Sequence, residues 1–186
     1  MKEEIAPSTD SEEQYSYELK IPKDRVAVLI GKKGETKKEL EEFSKASINI
    51  DSREGEVVLT GSESIMLYSL KEVIRAIARG FNPEVAKLLF RQDYSLEIIH
   101  LSEFNEHKSH QLRLKGRVIG RNGKSRSTIE DMTNCYISVY GKTIAILGSV
   151  IEVPIAKKAV ESLLIGSMHA SVYKWLEKQK RILLGN

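Results

Sequence analysis

Two short glycine brackets carry the chemistry of this chain, Ile30-Gly31-Lys32-Lys33-Gly34 and Ile119-Gly120-Arg121-Asn122-Gly123. Each sits where an apolar stretch breaks and a polar, helix-forming stretch begins. Each is followed two positions on by a hydroxyl, Thr36 and Ser125. A glycine loop opening into a helix sets bare backbone N–H groups and the positive end of the helix dipole against an anion, so these residues suit phosphate binding. With 12 glycines in the chain, one Gly-x-x-Gly alone says little. Its duplication in similar surroundings makes the case for a tandem nucleic-acid-binding protein.

The charges around the two brackets differ. From Lys115 to Arg126 the second has five cations (Lys115, Arg117, Arg121, Lys124, Arg126) and no acid. The first has Arg25, Lys32, Lys33, Lys37 and Lys38, but also Glu35 and Glu39. Glu35 falls at the helix start, where it repels a phosphate. Arginine stacks on bases and grips phosphate as a fork, which lysine does less well. The second bracket is therefore expected to be the principal site. The first (Ile30, Gly31, Lys32, Lys33, Gly34, Lys37) is expected to be a weaker one or partly scaffold. The Lys37–Lys38 pair also suits an ordinary solvated helix face.

The elements that position the brackets repeat as well. Alternation over Tyr15 to Ile21 reads as a strand, ended by Pro22. A short helix through Val26, Leu29 and Ile30 leads into the first bracket. Glu35 to Lys45 then reads as an amphipathic helix with Leu40 and Phe43 on its apolar face. Strands at Ile48–Ile50 and Val57–Leu59 follow, then a helix carrying Ile65, Leu67, Leu70, Val73, Ile74 and Ile77 that ends at Gly80. In the second half, Tyr94 to Ile98 echoes the first strand, and Ile129 and Met132 take the places of Leu40 and Phe43. Ile137 with Val139, and Ile144 with Ile146, mark two strands, and a last helix runs from about Ile151 through Leu164. About ten extra residues near Phe104 to Arg113 predict a longer helix before the second bracket, preceded by a loop. Asn82-Pro83-Glu84 is a helix-start signal between the units. A polar helix from about Ala170 to Arg181, carrying Trp175, closes the chain.

The totals narrow the function classes. Of 186 residues, 41% are hydrophobic and 30% charged, as in an ordinary globular protein. Residues 1–14 hold Lys2 against Glu3, Glu4, Asp10, Glu12 and Glu13, yet the whole chain is +3, so an acidic arm precedes a basic body. The single Cys135 forms no internal disulfide, and His107 and His110 lack further ligands at zinc spacing, so no metal and no cofactor is expected. There is no catalytic triad pattern, no carboxylate pair in an apolar setting and no Gly-x-x-x-x-Gly-Lys-Ser/Thr loop, which argues against an enzyme. No apolar run is long enough to span a membrane. The start lacks a basic stretch followed by an apolar core. A cytoplasmic setting is the expectation.

Each unit thus reads β-α-α-β-β-α, and with the Ile-Gly-x-x-Gly bracket it resembles the type I KH fold: α+β, a three-stranded antiparallel sheet covered by three helices. In such domains the bracket clamps the backbone of about four nucleotides of single-stranded RNA. The resemblance implies RNA-binding roles for Lys115, Gly116, Arg117, Val118, Ile119, Gly120, Arg121, Asn122, Gly123, Lys124, Ser125, Arg126 and Ile137. Val118, Ile119, Ile129 and Ile137 would form an apolar floor for the bases.

A wider pattern is more specific. Gly80-Phe81-Asn82-Pro83-Glu84, Asp93-Tyr94-x-Leu96-Glu97, the run from Gly116 to Glu130, Ile146-Leu147-Gly148-Ser149 and Leu163-Leu164-Ile165-Gly166-Ser167 resemble the archaeal Dim-two family, called Pno-one in eukaryotes. The resemblance spans roughly Tyr15 to Arg181. It implies a small-ribosomal-subunit assembly factor bound near the 3′ end of small-subunit rRNA. It also implies partnership with the PIN-domain endonuclease that trims that end and with the alpha subunit of initiation factor two. A general KH adaptor of an exosome-like machine is the alternative, and a protein scaffold with idle brackets is another. The expected organisation is an acidic disordered arm (1–14), a first KH domain (15–80), a connecting helix (81–92) and a second KH domain with a C-terminal helix (93–186).

Overall fold

A computed structural model describes residues 14–183; all but the last residue of the acidic arm lies outside them. The chain begins with β1 (Tyr15–Lys20), after which Pro22 caps α1 (Lys23–Ile30), and the first bracket turns the chain into α2 (Glu35–Ser44). Then come β2 (Ser47–Asp51), β3 (Glu56–Gly61) and α3 (Ser64–Ala78). A short α4 (Pro83–Ala86) continues as a 3-10 turn over Lys87–Phe90. The Asn82 side chain accepts from the Glu84 N–H at 3.1 Å, which is the helix start expected there. The second unit has β4 (Tyr94–His100), α5 (Lys108–Ile119), α6 (Lys124–Thr133), β5 (Tyr136–Tyr140), β6 (Thr143–Ser149) and α7 (Val153–Leu164). An added α8 (His169–Leu183) follows. These are two tandem α+β units.

Both sheets are antiparallel, in the orders β1-β3-β2 and β4-β6-β5. In the first, Tyr17 and Ile48 flank Leu59, and Leu19 and Ile50 flank Val57, so one face carries the apolar residues onto the helices. The other face carries Glu18, Lys20, Asn49, Asp51 and Glu56. In the second sheet Ile99 pairs Ile144 and Ile137 pairs Ile146 over Val118, Ile129 and Val160.

The second sheet is apolar on its other face too. Ala145 and Leu147, with Leu96 and Ile98 beside them, join the first unit's core against Phe81, Ala86 and Leu89. The second sheet is thus a central layer with helices of both units on its two sides. The run Ile144-Ala145-Ile146-Leu147 accounts for this: a strand buried on both faces has no polar residue to alternate. Two further ties cross the seam. Ser138 Oγ donates to the Arg79 carbonyl at 2.8 Å, and Tyr140 Oη donates to Asp24. Partial burial, and then the Asp24 carboxylate, push the Tyr140 hydroxyl above its ordinary range.

Two apolar residues depart from the expected core: Phe43 is 59% exposed and lies against Phe90 at 4.5 Å, and Ile65 is 76% exposed. The last helix of the unit starts at Val153, two residues after Ile151. Helical periodicity places Phe43 and Ile65 at the margin of the buried stripe, where neighbouring elements cover them only in part.

Candidate nucleic-acid interface

The two brackets adopt the same backbone path. Gly31 has φ 75°, ψ 178° and Gly120 φ 73°, ψ 179°, a region open only to glycine at low cost. One residue later a 3-10 turn begins, with Lys33 at φ 55° and Asn122 at φ 53°. The second glycines, Gly34 at φ 82° and Gly123 at φ 76°, then start α2 and α6.

The two glycines of a bracket are needed for different reasons. A Cβ on Gly120 would lie 2.6 Å from Ser125 Cβ and 2.7 Å from its backbone N; on Gly31 it would lie 2.2 Å from Thr36 Oγ1. The first glycine is therefore fixed by the fold itself. A Cβ on Gly34 or Gly123 would meet nothing within 4 Å. Only the left-handed backbone favours glycine there, and the space above it is open to a ligand.

No side chain caps α6, and its first turn holds no acid. Its first N–H groups and positive dipole end thus lie beside Arg121 and Lys124, neither of which forms an ion pair among the described residues. At the first bracket Lys32 and Lys33 are similarly free, but Glu35 opens α2. Gly116, one turn before the bracket, is an exposed helical glycine whose Cβ would meet nothing within 4 Å. The first unit has Ala27 at this place, and Ala27 O and Gly116 O accept from Gly31 N and Gly120 N at 3.0 and 2.9 Å.

With this geometry the comparisons with known proteins are decisive. Residues 95–181 match the family model of the second Pno1 KH domain, described as a eukaryotic type KH-domain (KH-domain type I), and residues 16–76 match the KH domain. A KH domain-containing protein of Methanocaldococcus jannaschii is 46% identical over 167 residues, 88% of this chain and 73% of its own length. Dim2p of Pyrococcus horikoshii has a crystal structure that matches with a TM-score of 0.83 at 46% identity, over 88% of this chain and 99% of that one. The chain belongs to the Dim2/Pno1 family of tandem KH-domain proteins. A second Pyrococcus horikoshii structure, a complex of a/eIF2alpha, aDim2p and rRNA, matches with a TM-score of 0.85 at 45% identity, over 90% of this chain and 95% of that one. The pre-rRNA-processing protein pno1 of Aspergillus fumigatus is 30% identical over 114 residues, 58% of this chain and 44% of its own length.

In this Dim2/Pno1 chain the expected site residues separate into two sets. Gly116, Gly120, Arg121, Asn122, Gly123 and Lys124 surround the open loop, with Lys115 and Ile119 half-buried beside it. The rest are engaged elsewhere. Val118 and Ile137 are buried in the second core, with Ile129. Ser125 is 3% exposed behind Gly120, and its Oγ has no hydrogen-bond partner among the described residues.

Arg117 is not a free phosphate ligand. Its Nε donates to Leu163 O at 2.8 Å and its Nη2 to Ser167 O at 2.6 Å, satisfying one carbonyl in the last turn of α7 and one just beyond it. Arg25 does the same for Ile77 O and Phe81 O, at 2.8 and 2.6 Å. Lys37 and Arg126 face Glu41 and Glu130 at 3.7 and 3.5 Å. Those glutamates also accept from the N–H groups of Ile48 and Ile137 at 2.8 and 2.7 Å, tying each bracket helix to the edge strand of its sheet. Glu41 and Glu130 are structural residues the sequence reading missed. Their identical offset from the two brackets was the available signal.

Proposed function

We propose that this Dim2/Pno1 chain is a non-catalytic, cytoplasmic ribosome-assembly factor that binds single-stranded RNA at or near the 3′ end of small-subunit rRNA. The second bracket is the principal site. Gly116, Ile119, Gly120, Arg121, Asn122, Gly123 and Lys124 meet the RNA backbone, and Lys115 adds charge. The observation that carries this reading is the uncapped, acid-free start of α6 beside unpaired Arg121 and Lys124, set against Glu35 at the same place in the first unit. The first bracket is a weaker site. The relatives support the target: aDim2p of Pyrococcus horikoshii crystallised with rRNA and a/eIF2alpha, and the Aspergillus relative is a pre-rRNA-processing protein.

In this role the protein holds a short segment and presents the adjacent cleavage site to the PIN-domain endonuclease, while the alpha subunit of initiation factor two is a second partner. Phosphate contacts make the binding salt-sensitive, and exposed base edges supply a modest sequence preference. Competition binding with an RNA matching the 3′ end of small-subunit rRNA and a scrambled RNA of equal length tests the target. Preferential displacement by the true sequence is expected. Equal displacement by both would replace this target with that of a general KH adaptor.

A further inference from the structure

Helix α8 has no counterpart after α3, and its placement ties it to the second bracket. Its first residue, His169, sets Nε2 2.8 Å from Arg117 O, in the last turn of α5 before Gly120. Val172 and Leu176 are buried in the second core. Further along, Lys180 Nζ donates to Asp131 O at 3.4 Å, near the far end of α6. Helix α8 therefore starts beside the bracket and runs alongside α6 in the same direction.

Lys174, Lys178 and Arg181 are all exposed on this helix. Their spacings of four and three residues put them on one face, spread over about 10 Å at about 1.5 Å rise per residue. None forms an ion pair among the described residues, although Glu177 is exposed on the same face, three residues from Lys174 and four from Arg181. On α2 and α6, by contrast, three helical cations face acids one turn on: Lys37 with Glu41, Lys38 with Glu42, Arg126 with Glu130.

We propose that the Lys174–Lys178–Arg181 face of α8 is a second phosphate track, continuous with the bracket, that takes the RNA backbone flanking the clamped nucleotides. The inference rests on the second bracket being the RNA site. The stripe suits RNA over an acidic protein because α8 starts beside the last turn of α5, just ahead of the bracket, and carries three exposed cations along one face.

The test uses the full chain, its Lys174→Gln/Lys178→Gln/Arg181→Gln variant, and a Lys174→Arg/Lys178→Arg variant that keeps the charge. Each is titrated with an RNA of about six nucleotides, little more than one bracket clamps, and with one about ten nucleotides longer. Affinities are read over a range of salt. Each phosphate neutralised on a single strand adds about 0.7 to the log–log salt slope, so three contacts add about 2. Wild type and the arginine variant are expected to bind the longer RNA at least tenfold more tightly and with that steeper slope. The glutamine variant is expected to lose the increment and bind the short RNA as wild type does. An unchanged long-RNA slope in the glutamine variant, or an equal loss on both RNAs, overturns the track while leaving the bracket in place. Retention of the slope with loss of binding to an acidic protein assigns the stripe to protein docking and also overturns it. Failure of wild type to bind either RNA removes the bracket reading and the track with it.

Discussion

Replacing Gly116 with alanine should raise stability and lower RNA affinity at once. Gly116 lies inside α5, without the positive φ that would demand glycine, and a Cβ there would meet nothing within 4 Å. Glycine inside a helix costs about 1 kcal/mol relative to alanine. Ala27 occupies the matching place in the first unit, with the same hydrogen bond into its bracket, so the local geometry accepts a methyl group. The substitution should therefore stabilise by about 1 kcal/mol and raise the melting temperature by roughly 2–4 °C for a chain of this size. If RNA crosses the exposed face of α5 on its way to Gly120 and Gly123, the same methyl group stands in its path. A tenfold loss of affinity, about 1.4 kcal/mol, is the expected scale. Thermal melting and fluorescence anisotropy on one preparation read both effects. A variant that melts higher and binds as wild type does would show that RNA does not approach α5. A variant that melts lower would refute the open space around Gly116.

Arg117→Ala should destabilise the chain by about 2–4 kcal/mol in urea titration, because two charge-assisted hydrogen bonds, to Leu163 O in α7 and to Ser167 O just beyond it, are lost; Arg25→Ala should behave alike, although Arg25 belongs to the weaker unit. Cys135 is buried, which pushes its thiol up to about 11. Only about one in a thousand is then ionised at pH 8, so a thiol reagent should label it slowly in the native protein and fast in denaturant. Since the folded value lies above the unfolded one, the folded state holds its proton longer. Stability should be level below pH 9 and fall by up to roughly 3 kcal/mol towards pH 11, read from urea midpoints against a Cys135→Ala control.

The brackets and the order of elements were legible because glycine at both ends of a turn and apolar spacing along helices and strands report local geometry. What the side chains do around the brackets was less so. Arg117 reads as a cation beside a phosphate loop, yet it reaches back to close α7. Arg25 performs the same task from a different offset to its bracket, so the repeat gives no alignment to expose either. Val118 and Ile137 read as apolar residues near the site, but spacing does not tell a reachable floor from a core. The apolar run from Ile144 to Leu147 did signal a sheet buried on both faces. That signal bears on how the units meet, which a search for the site passes over. Phe43 and Ile65 lie outside the core because the width of a buried stripe is set by the neighbouring element, which no single helix encodes.

The most direct test of the central claim compares Gly123→Asp with Gly34→Asp in RNA binding. Both sites have a left-handed backbone and open space above, with φ 76° and 82°, so the folding cost is matched, and each aspartate adds the same negative charge. RNA matching the 3′ end of small-subunit rRNA, followed by anisotropy, should lose binding by well over tenfold with Gly123→Asp and by only a few-fold with Gly34→Asp. Equal losses, or a larger loss at Gly34, would contradict the assignment of the second bracket as the principal RNA site.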